Sequence, residues 1–256
     1  MEGKAGASGA RGGGGRQRAL KQQLESLALA GVSSLPKRGG AKSRLAAGSR
    51  AVAHAVGVPG GQASVQDADA RSRSLAILRE EVAACRRCEP LARARTHTVF
   101  GSGPANARLC FLGEAPGADE DASGEPFVGR AGQLLTKIIE ACTLSREDVY
   151  ILNVLKCRPP DNRRPLPDET ANCRDYFEKQ LEIIAPEFIC CLGTTAAQAL
   201  LQTDETIGAL RKRWFSWRSS QVICTYHPSY LLRNPPAKRD VWDDMKLLMA
   251  KLGVQL

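Results

Sequence analysis

Residues 108–117 read RLCFLGEAPG, and this decapeptide decides the fold. The first half is a short apolar run, and Gly113, Pro116 and Gly117 break it. A strand that is apolar at successive positions is buried on both faces, as in parallel sheets covered by helices. Three more stretches repeat the pattern: 149–154 (VYILNV), 188–192 (FICCL) and 221–226 (QVICTY). Helical spacing fills the gaps between them. Leu75, Leu78 and Val82 share one face of a helix that runs into Cys85, and Leu134, Leu135, Ile138 and Ile139 face inward from a helix starting at 131. Further helices are expected over 168–185, over 194–201 and at the end of the chain through 242–252. Strands alternating with helices predict an α/β fold: three layers, α/β/α, around a central, mostly parallel four-stranded sheet. Ligands of such sheets sit beyond the carboxyl ends of the strands. Here those ends are 113–117, Asn153, Gly193 and His227.

The 256 residues carry a formal net charge of +9, and the charge is unevenly spread. Residues 1–71 hold 11 Lys/Arg against 4 Asp/Glu, a balance of +7; residues 72–256 hold 25 against 23. The first part also has 14 of the 24 glycines and none of the Phe, Trp, Tyr or Cys. Such a segment cannot bury enough apolar area to offset chain entropy, so 1–71 is expected to be a disordered basic tail and 72–256 the folded domain. Within the tail, Leu20, Leu24 and Leu27 share a helical face that stops at Gly31, a short helix too weak to stand alone. The tail is either an arm for polyanions or a solvated linker. No stretch reaches the ~20 apolar residues of a membrane span. The opening MEGKAGASGARGGGG has no apolar core of a secretory signal.

Nine cysteines make an odd number for a disulfide scaffold and fit a reducing compartment. Cys110, Cys190, Cys191 and Cys224 fall inside apolar strands and Cys142 at a helix end, where thiols pack as small hydrophobes. Cys85 and Cys88 form a CxxC that closes a helix, and Cys157 and Cys173 flank a loop rich in Pro and Arg. Four such thiols suffice for zinc or for an iron–sulfur cluster, and spacing alone does not choose between them.

The strand ends carry the remaining chemistry. Glu114 and the run Asp119-Glu120-Asp121 could hold a divalent cation, or one carboxylate could handle a water. Phe127, in GEPFVGRAGQ, is a core plug or a platform for a flat ligand. Asn153 closes a buried strand, where an amide is costly unless hydrogen-bonded, and an amide suits the edge of a nucleobase. His227 opens HPSYLLR, an apolar-then-basic loop after the last strand.

Together GEAPG (113–117), EPFVGRAGQLL (125–135), NVLKCRPP (153–160), HPSYLLR (227–233) and the four cysteines resemble the family 4 uracil-DNA glycosylases, the iron–sulfur branch found in bacteria and archaea. The resemblance covers about residues 75–252 and leaves the tail out. It implies a monofunctional hydrolase of N-glycosyl bonds that flips uracil out of single- or double-stranded DNA, excises it and leaves an abasic site, the first step of base excision repair. By resemblance Phe127 stacks on uracil, Asn153 reads its Watson–Crick edge, and Gly113, Glu114 and Ala115 close the pocket. Glu114, Asn153 and His227 are the catalytic candidates: His227 reaches the O2 region and Glu114 serves the attacking water or the sugar cation. Ser229, Leu231, Leu232 and Arg233 would contact DNA, with Leu231 or Leu232 as a wedge and Arg233 on phosphate. A structural [4Fe–4S] cluster would be held by Cys85, Cys88, Cys157 and Cys173. The family also implies a monomer without a membrane partner, cytoplasmic and associated with a bacterial nucleoid. A related branch traps the sugar with a histidine in an insertion; the matching stretch here, DNRRP (161–165), has none, which predicts ordinary turnover. Gly117 stands where a bulky aromatic would block thymine. The competing readings are a non-catalytic nucleic-acid-binding protein with structural zinc, and a glycosylase for another deaminated base such as hypoxanthine.

Overall fold

The computed structural model describes residues 65–255. The expected tail lies outside the described residues up to position 64, as does its short helix at 16–30. The first described element is helix α1 (Val65–Ala83), so the boundary expected near Arg71 falls inside it. Leu75, Leu78 and Val82 form its buried face. Helix α2 (Glu89–Ala94) follows, with Pro90 in its first turn, where a missing N–H costs nothing.

The sheet has five strands, not four: β1 (Leu109–Gly113), β2 (Val149–Asn153), β3 (Phe188–Leu192), β4 (Trp214–Trp217) and β5 (Ser220–Thr225). Their order is β2-β1-β3-β5-β4. The first four run parallel, and β4 pairs antiparallel with β5 as an edge hairpin. Strand β4 escapes a sequence reading for two reasons. Its WFSW is only half-buried or exposed, and the turn after it places Arg218 at φ 51°, where glycine or asparagine would be the recognisable signal.

Side chains alternate between two cores on opposite faces of the sheet. Cys110, Leu112, Ile189, Cys191, Val222 and Cys224 join α1 and helix α5 (Pro167–Ile184). Leu109, Phe111, Phe188, Cys190 and Ile223 join helix α4 (Arg130–Ala141) and the last helix, α9 (Lys238–Leu252). Short helices α3 (Ala118–Ser123), α6 (Thr194–Leu201), α7 (Ile207–Leu210) and α8 (Pro228–Arg233) cap the strand ends and connections. No helix among the described residues is long and apolar enough to cross a membrane.

From β1 the chain crosses to β2 on one side, and β3 then pairs on the other. The topological switch therefore lies at β1, and the crevice beyond the carboxyl ends of β1 and β3 is where such a fold binds ligands.

Candidate functional site

That crevice is a pocket of about 600 Å³, lined among others by Glu114, Phe127, Asn153, Tyr226, His227 and Arg233. The sequence spreads these residues over 120 positions; the ends of β1, β2 and β5 gather them. Gly113 stands opposite Asn153 in the β1–β2 register. A Cβ on Gly113 would lie 2.5 Å from Phe127 Cζ and would collide with Asn153 Oδ1, so only glycine lets ring and amide converge there.

Asn153 is 1% exposed, and its Oδ1 is buried without a hydrogen-bond partner. An orphaned buried polar atom carries a desolvation cost that a ligand can repay. Phe127 is 6% exposed and its ring lies 5.6 Å from that of His227, tilted by 34°. It is both core plug and pocket wall. Its backbone is held at φ 54°, a left-handed conformation costly for an aromatic residue.

Three groups impose this turn. Arg146 donates to the carbonyls of Pro126 (2.9 Å) and Phe127 (3.3 Å). Gly132 lets α4 press on the Phe127 carbonyl, with which any Cβ would collide. Glu120 accepts N–H bonds from Gly117 (3.1 Å), Val128 (2.9 Å) and Gly129 (2.9 Å). The acidic run thus has structural work that spacing did not reveal: Asp121, 4% exposed, accepts both from Thr96 N at 3.0 Å and from His97 N. Glu120 and Asp121 serve main-chain donors and are not laid out as a cation site.

Glu114 accepts a 2.5 Å hydrogen bond from the Thr195 hydroxyl on its Oε2. Thr195 was missed by the sequence reading. Its one signal was position: a polar pair, Thr194-Thr195, directly after the strand-end Gly193. Gly193 itself sits at φ 88°, and a Cβ there would come within 2.9 Å of His227 Cβ.

His227 is half-buried, and enclosure together with the Arg233 charge pushes its pKa down to about 4. Its Nδ1 accepts from the Ser229 N–H (3.1 Å) and lies 2.8 Å from the Ser229 hydroxyl. A neutral imidazole that accepts at Nδ1 carries its proton on Nε2, and so presents a donor. Beneath this strand end, Arg211 stacks 4.3 Å over Tyr226 and donates to the buried Asp244 at 2.7 Å, which also accepts from Thr225 at 2.6 Å.

Helix α8 divides the expected DNA contacts. Of the two leucines expected to supply the wedge, Leu231 is fully buried in the core shared with α4 and α9. Leu232 is 39% exposed, Tyr230 is 37% exposed against Tyr226, and Arg233 is exposed at the pocket rim. Ser229 turns inward to His227.

The four candidate ligand cysteines share one patch. Cys157 and Cys173 are buried in the core, and Cys85 and Cys88 pack against it. Arg95 donates to Cys157 Sγ at 3.1 Å and to the carbonyl of Cys85 at 2.9 Å; Asn172 lies 3.5 Å from Cys88 Sγ. Burial pushes the Cys173 thiol up to about 11 and raises that of Cys157, while Lys156 and Arg95 respectively oppose the rise. No group of three or more His, Cys, Asp or Glu is drawn together as the ligand set of one metal ion among the described residues. Cys110, Cys190, Cys191 and Cys224 are wholly buried in strands. Burial also drives the thiols of Cys110, Cys190 and Cys142 upward, as for packed, unreactive groups.

Comparison with known proteins addresses the same residues. The description "Uracil DNA glycosylase superfamily" matches residues 100–246. The type-4 uracil-DNA glycosylase of Archaeoglobus fulgidus is 44% identical over 181 residues, covering 68% of this chain and 90% of that protein. That of Thermotoga maritima is 46% identical over 166 residues, 64% of this chain and 86% of its own. A type-5 enzyme of Pyrobaculum aerophilum is more distant, 31% identical over 165 residues, 56% of this chain and 73% of its own.

Proposed function

The chain belongs to the uracil-DNA glycosylase superfamily, in its type-4 group, and from that premise we propose how its pocket works. The enzyme is a hydrolase that excises uracil from DNA in base excision repair. The base must first leave the stack, since the glycosidic bond is inaccessible inside the duplex. Uracil then enters the pocket lined by Phe127, Asn153 and His227, with its ring on the open face of Phe127. The orphaned amide of Asn153 is the observation that carries this proposal: a buried group able to donate and accept, with its oxygen unused, matches the N3–H and O4 edge of uracil.

As the N1–C1′ bond stretches, negative charge grows on the base, and the Nε2–H of neutral His227 stabilises it at O2. A donor aimed at developing charge favours the transition state over the ground state. Glu114, steadied by Thr195, faces the sugar side, where it orients the water or offsets the sugar cation. Leu232 fills the gap left by the base and Arg233 holds a neighbouring phosphate. The 161–165 stretch has no histidine to attack the sugar, so turnover is by water.

Cys85, Cys88, Cys157 and Cys173 would hold the [4Fe–4S] cluster of the type-4 group, with Arg95 donating to Cys157 Sγ and Asn172 to Cys88 Sγ. Held there, it would cross-link α1–α2 to the 157–173 segment and would take no part in bond cleavage. The substrate is uracil in single- or double-stranded DNA, acted on by a monomer in the bacterial cytoplasm near the nucleoid. The basic residues ahead of α1 act as an arm that strengthens contact with phosphate.

Asn153→Asp and Glu114→Ala test the assignment because they fail differently. Asn153→Asp places a charged acceptor at the uracil edge, so uracil excision falls steeply and residual activity shifts towards cytosine. Glu114→Ala slows every accepted base by ~10²-fold or more while binding to abasic DNA persists. Single-turnover rates normalised to folded protein decide it; a Glu114→Ala enzyme within about threefold of the parent removes Glu114 from the chemistry.

A further inference from the structure

Lys156 is the only buried lysine among the described residues, at 1% exposure. It takes part in none of the ion pairs found there. Its Nζ donates instead to two main-chain carbonyls, Asn153 at 2.8 Å and Phe100 at 3.2 Å. The Phe100 carbonyl also accepts from the buried Gln180 at 3.0 Å, and Val99 N–H donates to the Lys156 carbonyl at 2.8 Å. On its other side stand Cys157, next in the chain, and Cys173, whose thiol is hydrogen-bonded to the Lys156 main chain. Lys156 therefore lies between the cysteine patch and the residue whose amide faces the pocket.

The Asn153 side chain has no such support of its own, because its Oδ1 is unpartnered. Its place is set by its main chain: the β1–β2 ladder on one side, including Val154 N–H to the Gly113 carbonyl at 2.9 Å, and Lys156 on the other. Hydrogen bonds from an ammonium are charge-assisted and stronger than neutral ones. We propose that Lys156 is a positioning residue for uracil recognition, fixing the Asn153 carbonyl so that the amide meets the base edge, and so linking the cysteine patch to the pocket. The proposal rests on Asn153 as the base-reading residue. Misplacing such a group by about 1 Å can cost ~10²-fold in rate, so the lysine acts at the base without touching it.

The experiment is a double-mutant cycle in the full chain: Lys156→Met, Asn153→Ala and the pair. It measures single-turnover excision from uracil-containing single-stranded DNA, inhibition by free uracil, iron content and melting temperature. Lys156→Met is expected to excise roughly tenfold more slowly and to lose inhibition by free uracil to a similar degree. In the Asn153→Ala background it is expected to add nothing, because coupled residues are non-additive. Lys156→Gln, which keeps a donor, is expected to recover part of the loss and carries the same cycle if the methionine variant does not fold. Factors that multiply, or unchanged inhibition by uracil alongside a lower melting temperature, would reduce Lys156 to a core brace and overturn the proposal. An Asn153→Ala enzyme as fast as the parent would instead remove the base-reading residue itself.

Discussion

His227 shows how a single side chain is prepared by its surroundings. Its Nδ1 is spent on Ser229 and its ring is enclosed, so the neutral form with a proton on Nε2 is the one the fold holds. The folded pKa, about 4, lies below the ordinary 6.5. The imidazole therefore stays neutral in the native state while the unfolded chain takes up a proton. Stability rises with pH wherever the unfolded state binds more protons. The contribution of His227 is thus fully present above about pH 6.5, is lost progressively as pH falls, and is gone below about 4. Melting temperatures from pH 7 to 4 should fall less steeply in His227→Asn than in the parent. Excision by the parent should show no inflection near 6.5 from this residue; an inflection there that the variant abolishes would mean that the charged form is used.

At the scale of elements, α8 carries two adjacent leucines on opposite faces. A six-residue helix has one face inward, and Leu231 takes it, in contact with the α4–α9 core; Leu232 is left on the outside. Leu231→Ala should lower stability by about 2–5 kcal/mol, the usual cost of truncating a buried leucine. Leu232→Ala should leave the melting temperature nearly unchanged, slow excision from double-stranded DNA, and affect single-stranded substrate less, since no helix gap needs filling there. Denaturant titration and parallel rates on the two substrates separate these effects; equal loss on both substrates would take Leu232 out of the wedge role. HPSYLLR shows the limit of a motif: it marks the segment, but the helical phase that selects one leucine comes from packing.

Across the whole molecule, the cysteine patch joins parts of the chain distant in sequence. Cys85 and Cys88 follow α1, Cys157 follows β2, and Cys173 lies within α5. Cys157→Ser and Cys173→Ser should therefore lose iron, the broad absorption near ~400 nm expected of a [4Fe–4S] cluster, and much of the soluble yield. Cys110→Ser and Cys224→Ser should keep full iron content, although a hydroxyl in those buried strands lowers stability. Iron retained in the first pair would sink the four-cysteine assignment. Charge is also a whole-molecule property. A chain started at Val65, where the described helix begins, loses most of the basic excess and should still excise uracil. Its affinity for DNA at low salt should fall and its salt dependence flatten, since fewer phosphate contacts release fewer counterions. An unchanged salt slope would leave the tail as a linker.

Local chemistry in the sequence was sufficient for the parallel strands, the strand-end location of the pocket and the cysteines worth testing as ligands. Apolar runs, helical periodicity and glycine-rich breaks each depend on neighbours a few residues apart, so they are legible along the chain. The edge strand β4, the buried state of Leu231, the diversion of Glu120 and Asp121 to main-chain donors, and the bonds from Thr195 to Glu114 and from Lys156 to Asn153 were decided by tertiary structure. Each depends on groups brought together by the sheet or by side-chain packing, and pairings of that kind leave no period in the sequence. The two glycines that matter most at the pocket, Gly113 and Gly132, show both sides: their presence is written in the chain, but the Phe127 atoms that forbid a Cβ at either position, ring atoms at Gly113 and main-chain atoms at Gly132, come into view only when β1 and α4 close on the same residue.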